Sequence, residues 1–181
     1  ESYAQVVEEA DVNAKKRKKR KQIFPRFHQL RTVRALLRRA HTDGVGKRYL
    51  IQHSAGSGKS NTIAWLAHQL VELRLKDDPM TAQFDSIIVI TDRRTLDTQI
   101  ARTIKGYDHV AAIFGHSDNA QELRGFLQKG KKIIVTTVQK FPFILDELGD
   151  LSGKRFALLI DEAHSSQGGK TTARMHEALG G

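Results

Sequence analysis

The segment Ser54-Ala55-Gly56-Ser57-Gly58-Lys59-Ser60 decides the fold of this 181-residue chain. Gly56 and Gly58 permit backbone angles that other residues resist, so successive amides, that of Ser57 included, can turn toward one anion. A helix beginning near Lys59 adds the positive end of its dipole. Lys59 supplies a compact charge for the β- and γ-phosphates of a nucleotide, and the Ser60 hydroxyl can ligate Mg²⁺. The segment is therefore typical of a phosphate loop that binds ATP with Mg²⁺.

The loop departs from the usual pattern at one position. Gly or Ala normally stands five places before Gly58, where this chain has His53. A turn of this kind can also serve as a plain connection between a strand and a helix. Small residues that end in Gly-Lys-Ser, in that context, favour nucleotide binding.

The rest of the chain alternates between short apolar runs and helical patterns. The runs are continuous rather than alternating, as expected of strands covered on both faces. This order predicts an α/β domain with a mainly parallel sheet flanked by helices. Strands are predicted at 49–52, 86–91, 110–114, 132–137 and 157–160, and helices at 28–41, 61–75, 94–104, 119–128 and 139–148.

A pair of carboxylates, Asp161 and Glu162, follows the last apolar run. Ligands of open α/β sheets bind at the carboxyl ends of the strands. Asp161 is expected to hold Mg²⁺, and Glu162 to polarise the attacking water as general base. Asp-Glu after an apolar run is common and is also found in exposed turns, so the assignment depends on the phosphate loop upstream.

Charge is unevenly distributed along the chain. Residues 1–50 hold 14 Lys/Arg against 5 Asp/Glu, or +9 of the total +10. Most of this excess lies in the run Lys15–Lys21, which is either a solvated linker or an arm that contacts phosphates. We expect residues 1–22 to form a helical and basic linker, with a short helix within 1–14, and residues 23–181 to form the nucleotide-binding domain. The absence of cysteine and of a long apolar segment predicts a cytoplasmic protein without membrane contact.

Together with the phosphate loop, Asp161-Glu162-Ala163-His164 resembles the signature of superfamily 2 helicases and translocases. The resemblance implies the first of two RecA-like lobes, with ATP bound between them. In the segment 24–30, which resembles the adenine-recognising motif of that superfamily, Gln29 is the expected adenine ligand, with Phe24 or Phe27 nearby. Two later segments resemble motifs that contact DNA, and they supply the candidate residues Arg93, Arg94, Thr137 and Gln139.

Taken together, the motifs look most like the restriction subunit of type I restriction-modification enzymes. Four features carry this likeness: His53, the segment 92–99, Thr137-Val138-Gln139-Lys140-Phe141, and Asp161-Glu162-Ala163-His164-Ser165-Ser166-Gln167. The resemblance implies ATP-driven translocation of double-stranded DNA, with cleavage by a nuclease domain outside this fragment. It also implies methyltransferase and specificity subunits as partners. As a truncated lobe, the fragment alone is expected to hydrolyse ATP slowly or not at all.

Two other functions stay open at the level of sequence. One is a lobe of another superfamily 2 DNA or RNA helicase. The other is a nucleotide-gated module that binds nucleic acid without turnover. The presence of both Lys59 and Glu162 argues against the gated module, because a pure switch needs no general base.

Overall fold

A computed structural model describes residues 5–10, 18–91, 100, 101, 103, 104, 113–137, 139 and 153–161. Two sheets and three helices are assigned in these segments. In chain order the elements are β1 Gln5–Ala10, β2 Lys18–Ile23, α1 Phe27–Asp43, α2 Lys59–Val71, β3 Ser86–Thr91, β4 Phe114–His116, α3 Ala120–Gln128, β5 Ile133–Thr137 and β6 Phe156–Ile160.

The main sheet has four strands in the order β4-β5-β3-β6, and every pairing in it is parallel. The predicted α/β class with a parallel sheet flanked by helices is confirmed. β1 and β2 form a separate antiparallel pair. Because neighbouring parallel strands end at the same edge of a sheet, the carboxyl ends of β3, β5 and β6 lie side by side.

Side chains of the central strand β3 point alternately to two cores. Ile87 and Val89 face the larger core, which contains α1, α2 and the helical residues near 100–104. Ile88 and Ile90 face the smaller core beneath α3. All six residues of β3 are buried, which explains why its sequence is continuously apolar rather than alternating.

The helices begin and end where local chemistry requires it. α1 follows Pro25 and ends at Gly44, whose φ of 71° suits glycine and whose N–H donates to the Ala40 carbonyl. α3 begins after Asn119, whose side chain accepts from the N–H of Glu122 at 2.9 Å. No helix in the described segments is long and apolar enough to cross a bilayer.

Four predicted elements differ from the structure, one of them the helix predicted at 61–75, which is α2 Lys59–Val71. Residues 49–52 are irregular rather than a strand, and the exposed fraction of Leu50 is 83%. Within 1–14, residues 5–10 form a strand rather than a helix, since they pair in register with β2. Of the strand predicted at 110–114, residues 110–112 lie outside the described residues, Ile113 is in a turn, and Phe114 begins β4. The predicted helix at 139–148, apart from Gln139, and most of that at 94–104 lie outside the described residues.

Candidate functional site

The phosphate loop has the backbone conformation that its glycines predict. Gly56 has φ 71° and Gly58 has φ 82°, both in the left-handed region that disfavours other residues. Gly58 is the N-cap of α2, and Lys59 is its first residue. The N–H of Ser57 donates to the carbonyl of Ser54 at 3.3 Å and closes the turn. The loop therefore lies directly at the positive end of a helix, where anions bind.

Two side chains from the first turn of α1 contact the loop. His28 Nε2 lies 3.1 Å from the Ser57 carbonyl oxygen, and because a carbonyl only accepts, the ring nitrogen is the donor. Gln29 Nε2 donates to the carbonyls of Ser57 at 3.2 Å and Gly58 at 3.0 Å. The Gln29 side-chain oxygen accepts from the N–H of Arg26 at 2.8 Å. In this arrangement both ends of the Gln29 amide are bound to protein groups, and its contact with adenine stays a prediction.

A second connection joins α1 to the residue that departs from the usual motif. The Thr32 hydroxyl donates to the carbonyl of His28 at 2.9 Å. Its proton is used there, so the contact of 3.3 Å with His53 Nε2 has the ring as donor. The rings of His28 and His53 stand edge to face, with centroids 5.6 Å apart. Partial burial, followed by the charges of His28 and Lys59, holds the pKa of His53 below its ordinary value of 6.5.

The carboxyl edge of the sheet presents a row of polar side chains. Thr91 of β3 pairs in register with Thr137 of β5. Asp161 follows β6, and its N–H donates to the carbonyl of Ile90 at 2.9 Å, which sets it level with Thr91. The three side chains are buried, with exposed fractions of 0%, 2% and 6% for Thr91, Thr137 and Asp161. A buried carboxylate in this position is suited to a cation that it shares with a ligand.

The described residues fit a nucleotide in three ways. Gly56 and Gly58 leave the loop without side chains at the positions where the backbone would approach a phosphate. Within the described part of the chain, the Ser57 hydroxyl is buried without a hydrogen-bond partner, and such a group gains from a polar ligand. Phe24 and Phe27, beside the first turn of α1, are 64% and 79% exposed, so their rings are accessible to a base.

The other predicted site residues are placed only in part. Glu162, Arg93 and Arg94 lie outside the described residues. Thr137 is buried at the end of β5, and Gln139 is exposed two residues later. Their contacts with DNA stay predictions, as does the meeting of Lys59 and Asp161 around one magnesium ion.

Sequence reasoning missed the roles of His28 and Thr32, and it noted His53 only as a departure from the motif. A signal for the first two exists in the sequence. His28 and Thr32 are polar residues at positions i and i+4, so they share one face of the first turns of α1, and a third polar residue, Gln29, follows His28 directly. Such a polar cluster at the start of a helix that carries apolar residues farther along indicates a partner other than the core.

Comparison with known proteins identifies the family of the chain. The family model described as SWI2/SNF2 ATPase matches residues 28–181. The chain belongs to the SWI2/SNF2 ATPase family. Membership implies nucleotide use, and it supports the RecA-like class expected for the domain.

Relatives of this SWI2/SNF2 ATPase chain include endonuclease subunits of type I restriction enzymes. The C-terminal part of a putative MpnIIP endonuclease subunit from Mycoplasma pneumoniae is 30% identical, over 70% of this chain and 61% of the relative. The HindI endonuclease subunit from Haemophilus influenzae is 30% identical, over 66% of this chain and 11% of the relative. A putative MjaIXP endonuclease subunit from Methanocaldococcus jannaschii is 23% identical, over 88% of this chain and 16% of the relative. The resemblance predicted from the motifs is confirmed, and the chain spans only part of each relative.

Proposed function

We propose that this chain is the ATP-binding lobe of the motor in a type I restriction endonuclease subunit. In this function, ATP hydrolysis drives translocation of double-stranded DNA before cleavage by a nuclease domain outside these 181 residues. The observation that carries the proposal is the phosphate loop, whose glycines at φ 71° and 82° lie at the amino end of α2. The restriction subunits among the relatives support the type of motor.

Each site residue has a distinct role in this proposal. The amides of the loop and the Lys59 ammonium bind the β- and γ-phosphates. Ser60 and Asp161 hold Mg²⁺, which neutralises charge that develops on the phosphates. Glu162, directly after Asp161, orients and polarises the attacking water. Gln29 recognises the adenine, for which its amide must exchange at least one of its present protein partners.

The wider context is proposed on the same basis. Arg93, Arg94, Thr137 and Gln139 contact the DNA backbone, where hydroxyls and guanidinium groups position a duplex without reading its sequence. Methyltransferase and specificity subunits are the partners of the complete enzyme. The complex works in the cytoplasm, where its DNA substrate is found.

The test uses two variants of the full-length protein with duplex DNA. Lys59→Ala is expected to abolish binding of Mg-ATP, because it removes the charge that faces the phosphates. Glu162→Gln is expected to keep binding and to lose hydrolysis, because the amide cannot act as a base. Lys47→Ala, at an exposed lysine upstream of the loop, is the matched control and should behave as the wild type.

Binding is measured by titration with a fluorescent ATP analogue, and turnover by phosphate release. Unchanged ATP affinity in Lys59→Ala would refute the nucleotide site, and full turnover in Glu162→Gln would refute the general base. Stimulation by single-stranded but not by duplex DNA would favour another superfamily 2 helicase over the restriction motor.

A further inference from the structure

Side chains of α1 donate hydrogen bonds to carbonyls of the phosphate loop. The direction of these bonds determines where the N–H groups of the loop point. Peptide groups in the described segments are trans and planar, so a C=O and the N–H of the next residue point in opposite directions. The Ser57 carbonyl is held toward α1 by His28 and Gln29. The N–H of Gly58 therefore points away from α1. The Gly58 carbonyl accepts from Gln29, so the N–H of Lys59 points away as well.

The peptide between Ser57 and Gly58 gains most from this support, because the next carbonyl, that of Gly58, already accepts from Asn61 and Thr62 in α2. Glycine reaches left-handed and right-handed backbone angles at similar cost, so a loop with two glycines samples many orientations of its amides. Each orientation lost on binding costs conformational entropy. Donors that fix the Ser57 carbonyl before a phosphate arrives lower that cost, which is the general advantage of a preorganised site.

His53 acts on the same structure through Thr32. The His53 ring donates to the Thr32 hydroxyl, the hydroxyl donates to the His28 carbonyl, and the His28 ring donates to the Ser57 carbonyl. The path runs from the residue before the loop to the backbone of His28, and from there through the covalent bonds of the His28 side chain to the loop itself. Both rings must carry their proton on Nε2 for the path to exist.

We propose that His28 and His53, joined through Thr32, are positioning residues that fix the Ser57 carbonyl and thereby hold the amide of Gly58 toward the phosphates of the nucleotide. This inference rests on the proposed nucleotide site and adds to it residues that touch no substrate. It also explains His53 in place of the usual small residue, since Gly or Ala offers no side-chain donor to Thr32. Each ring is only half-buried, so we expect its removal to cost little of the stability of the fold.

The first experiment compares three variants of the full-length protein. His28→Leu removes the donor, and His28→Gln returns one, because a glutamine Nε2 reaches about as far as a histidine Nε2. His41→Leu is the matched control: His41 is in the same helix and also bonds a backbone carbonyl, that of Arg74 at 3.2 Å, but at the opposite end of α1. Affinity for Mg-ADP, KM and kcat for ATP, and the midpoint of thermal unfolding are measured for each.

His28→Leu is expected to weaken Mg-ADP binding and to raise KM by about 3- to 10-fold, the effect of one net hydrogen bond, with a smaller change in kcat. His28→Gln restores most of the affinity, and His41→Leu binds as the wild type. Equal affinities of His28→Leu and wild type overturn the proposal. So do equal losses in His28→Leu and His28→Gln, because the side-chain donor would then be irrelevant.

The second experiment tests the path itself and does not depend on a change at His28. Thr32→Val is nearly isosteric and removes only the hydroxyl, and His53→Leu removes only the ring donor. Because the two groups act in series, the double variant is expected to bind Mg-ADP no more weakly than the weaker single variant. Additive losses overturn the proposal. Lys59→Ala separates it from the proposed function: if that variant binds Mg-ADP normally, the nucleotide site itself is wrong.

Discussion

At the scale of single residues, Gly58 is constrained twice. Its φ of 82° is unfavourable for any residue with a Cβ, and a Cβ there would lie 2.6 Å from Gln29 Nε2. Gly46 has a similar φ of 81° but open space around it. Gly46→Ala should therefore lower the free energy of unfolding by about 1–2 kcal/mol, the cost of a left-handed backbone angle for a residue with a Cβ. Gly58→Ala should lower the free energy of unfolding by about 1 kcal/mol or more beyond that, because the Gln29 side chain must move to make room for the Cβ.

Urea unfolding of these two variants, with Gln29→Ala and the Gly58→Ala/Gln29→Ala double variant, measures the constraint. Removal of the Gln29 side chain makes room for the new Cβ, so the double variant should be more stable than the sum of the two single losses predicts. Strict additivity would show that the loop and Gln29 are not in contact.

His68 of α2 gives the molecule a dependence on pH. Burial lowers the pKa of His68 below its ordinary value of 6.5, although its bond to the Ile104 carbonyl at 3.2 Å acts in the opposite direction. The unfolded chain therefore takes up a proton at a higher pH than the folded chain. The contribution of neutral His68 to the free energy of unfolding is fully present above pH 6.5. It is lost as the pH falls from there toward the lowered pKa.

The expected result is a smaller free energy of unfolding at pH 5.5 than at pH 7.5, measured with urea. His68→Gln keeps a donor of similar reach but cannot titrate, so it should lose less stability over the same interval. An identical loss in wild type and variant would assign the pH dependence to other groups.

At the scale of elements, β4 and α3 each contain a glycine near the contact between them. Alanine substitutions at these two glycines are expected to change the stability of the chain in opposite directions. Gly115 lies in β4, where a Cβ would stand 2.7 Å from the ring of Phe126 in α3. Gly125, one residue before Phe126, has open space around it. Gly125→Ala should stabilise the chain by about 1 kcal/mol, because alanine favours the helix more than glycine does.

Gly115→Ala should destabilise the chain, because the packing of β4 against α3 has no space for a methyl group. Thermal unfolding of both variants gives the comparison, in which the same chemical change is made in neighbouring elements. A stabilising effect at both positions would show that α3 does not pack against β4 as described.

How well each element could be predicted from sequence depended on what determines it. β3 was predicted at its observed bounds, 86–91, because a strand buried on both faces is apolar throughout. The helix predicted at 119–128 is α3, which begins directly after its cap at Asn119. Residues 49–52 were predicted as a strand on the same criterion and are not one, because a strand also needs a neighbour to pair with. Apolar composition says nothing about whether that neighbour is present.

The candidate site divides in the same way. Gly56, Gly58 and Lys59 were found from sequence because their roles depend on local backbone conformation. The polar positions of α1 indicate a partner for His28 but not which one, since the hydrogen bonds of His28 and His53 join residues that are 29 and 21 positions apart in the chain. Such contacts depend on how α1 packs beside the loop, which no local pattern encodes.

At the scale of the whole molecule, part of the basic run lies within the amino-terminal strand pair. Residues 18–21 belong to β2 rather than to an isolated basic run. The register of β1 and β2 sets Glu8 opposite Arg20 and Glu9 opposite Lys19. The linker expected over residues 1–22 thus contains a strand pair.

The proposed site also makes a demand on the whole molecule, because Lys59 and Asp161 are 102 positions apart in the chain. If both serve one nucleotide, Mg²⁺ should increase the ADP affinity of the wild type. Asp161→Asn should reduce this increase by about tenfold, since an amide is a weaker cation ligand than a carboxylate. Lys59→Ala should weaken binding with and without Mg²⁺. Asp118→Asn, at an exposed carboxylate, serves as the control. ADP affinity is titrated in Mg²⁺ and in EDTA. A full magnesium effect in Asp161→Asn would mean that the end of β6 and the phosphate loop do not share a ligand, and the motor proposal would lose its geometry.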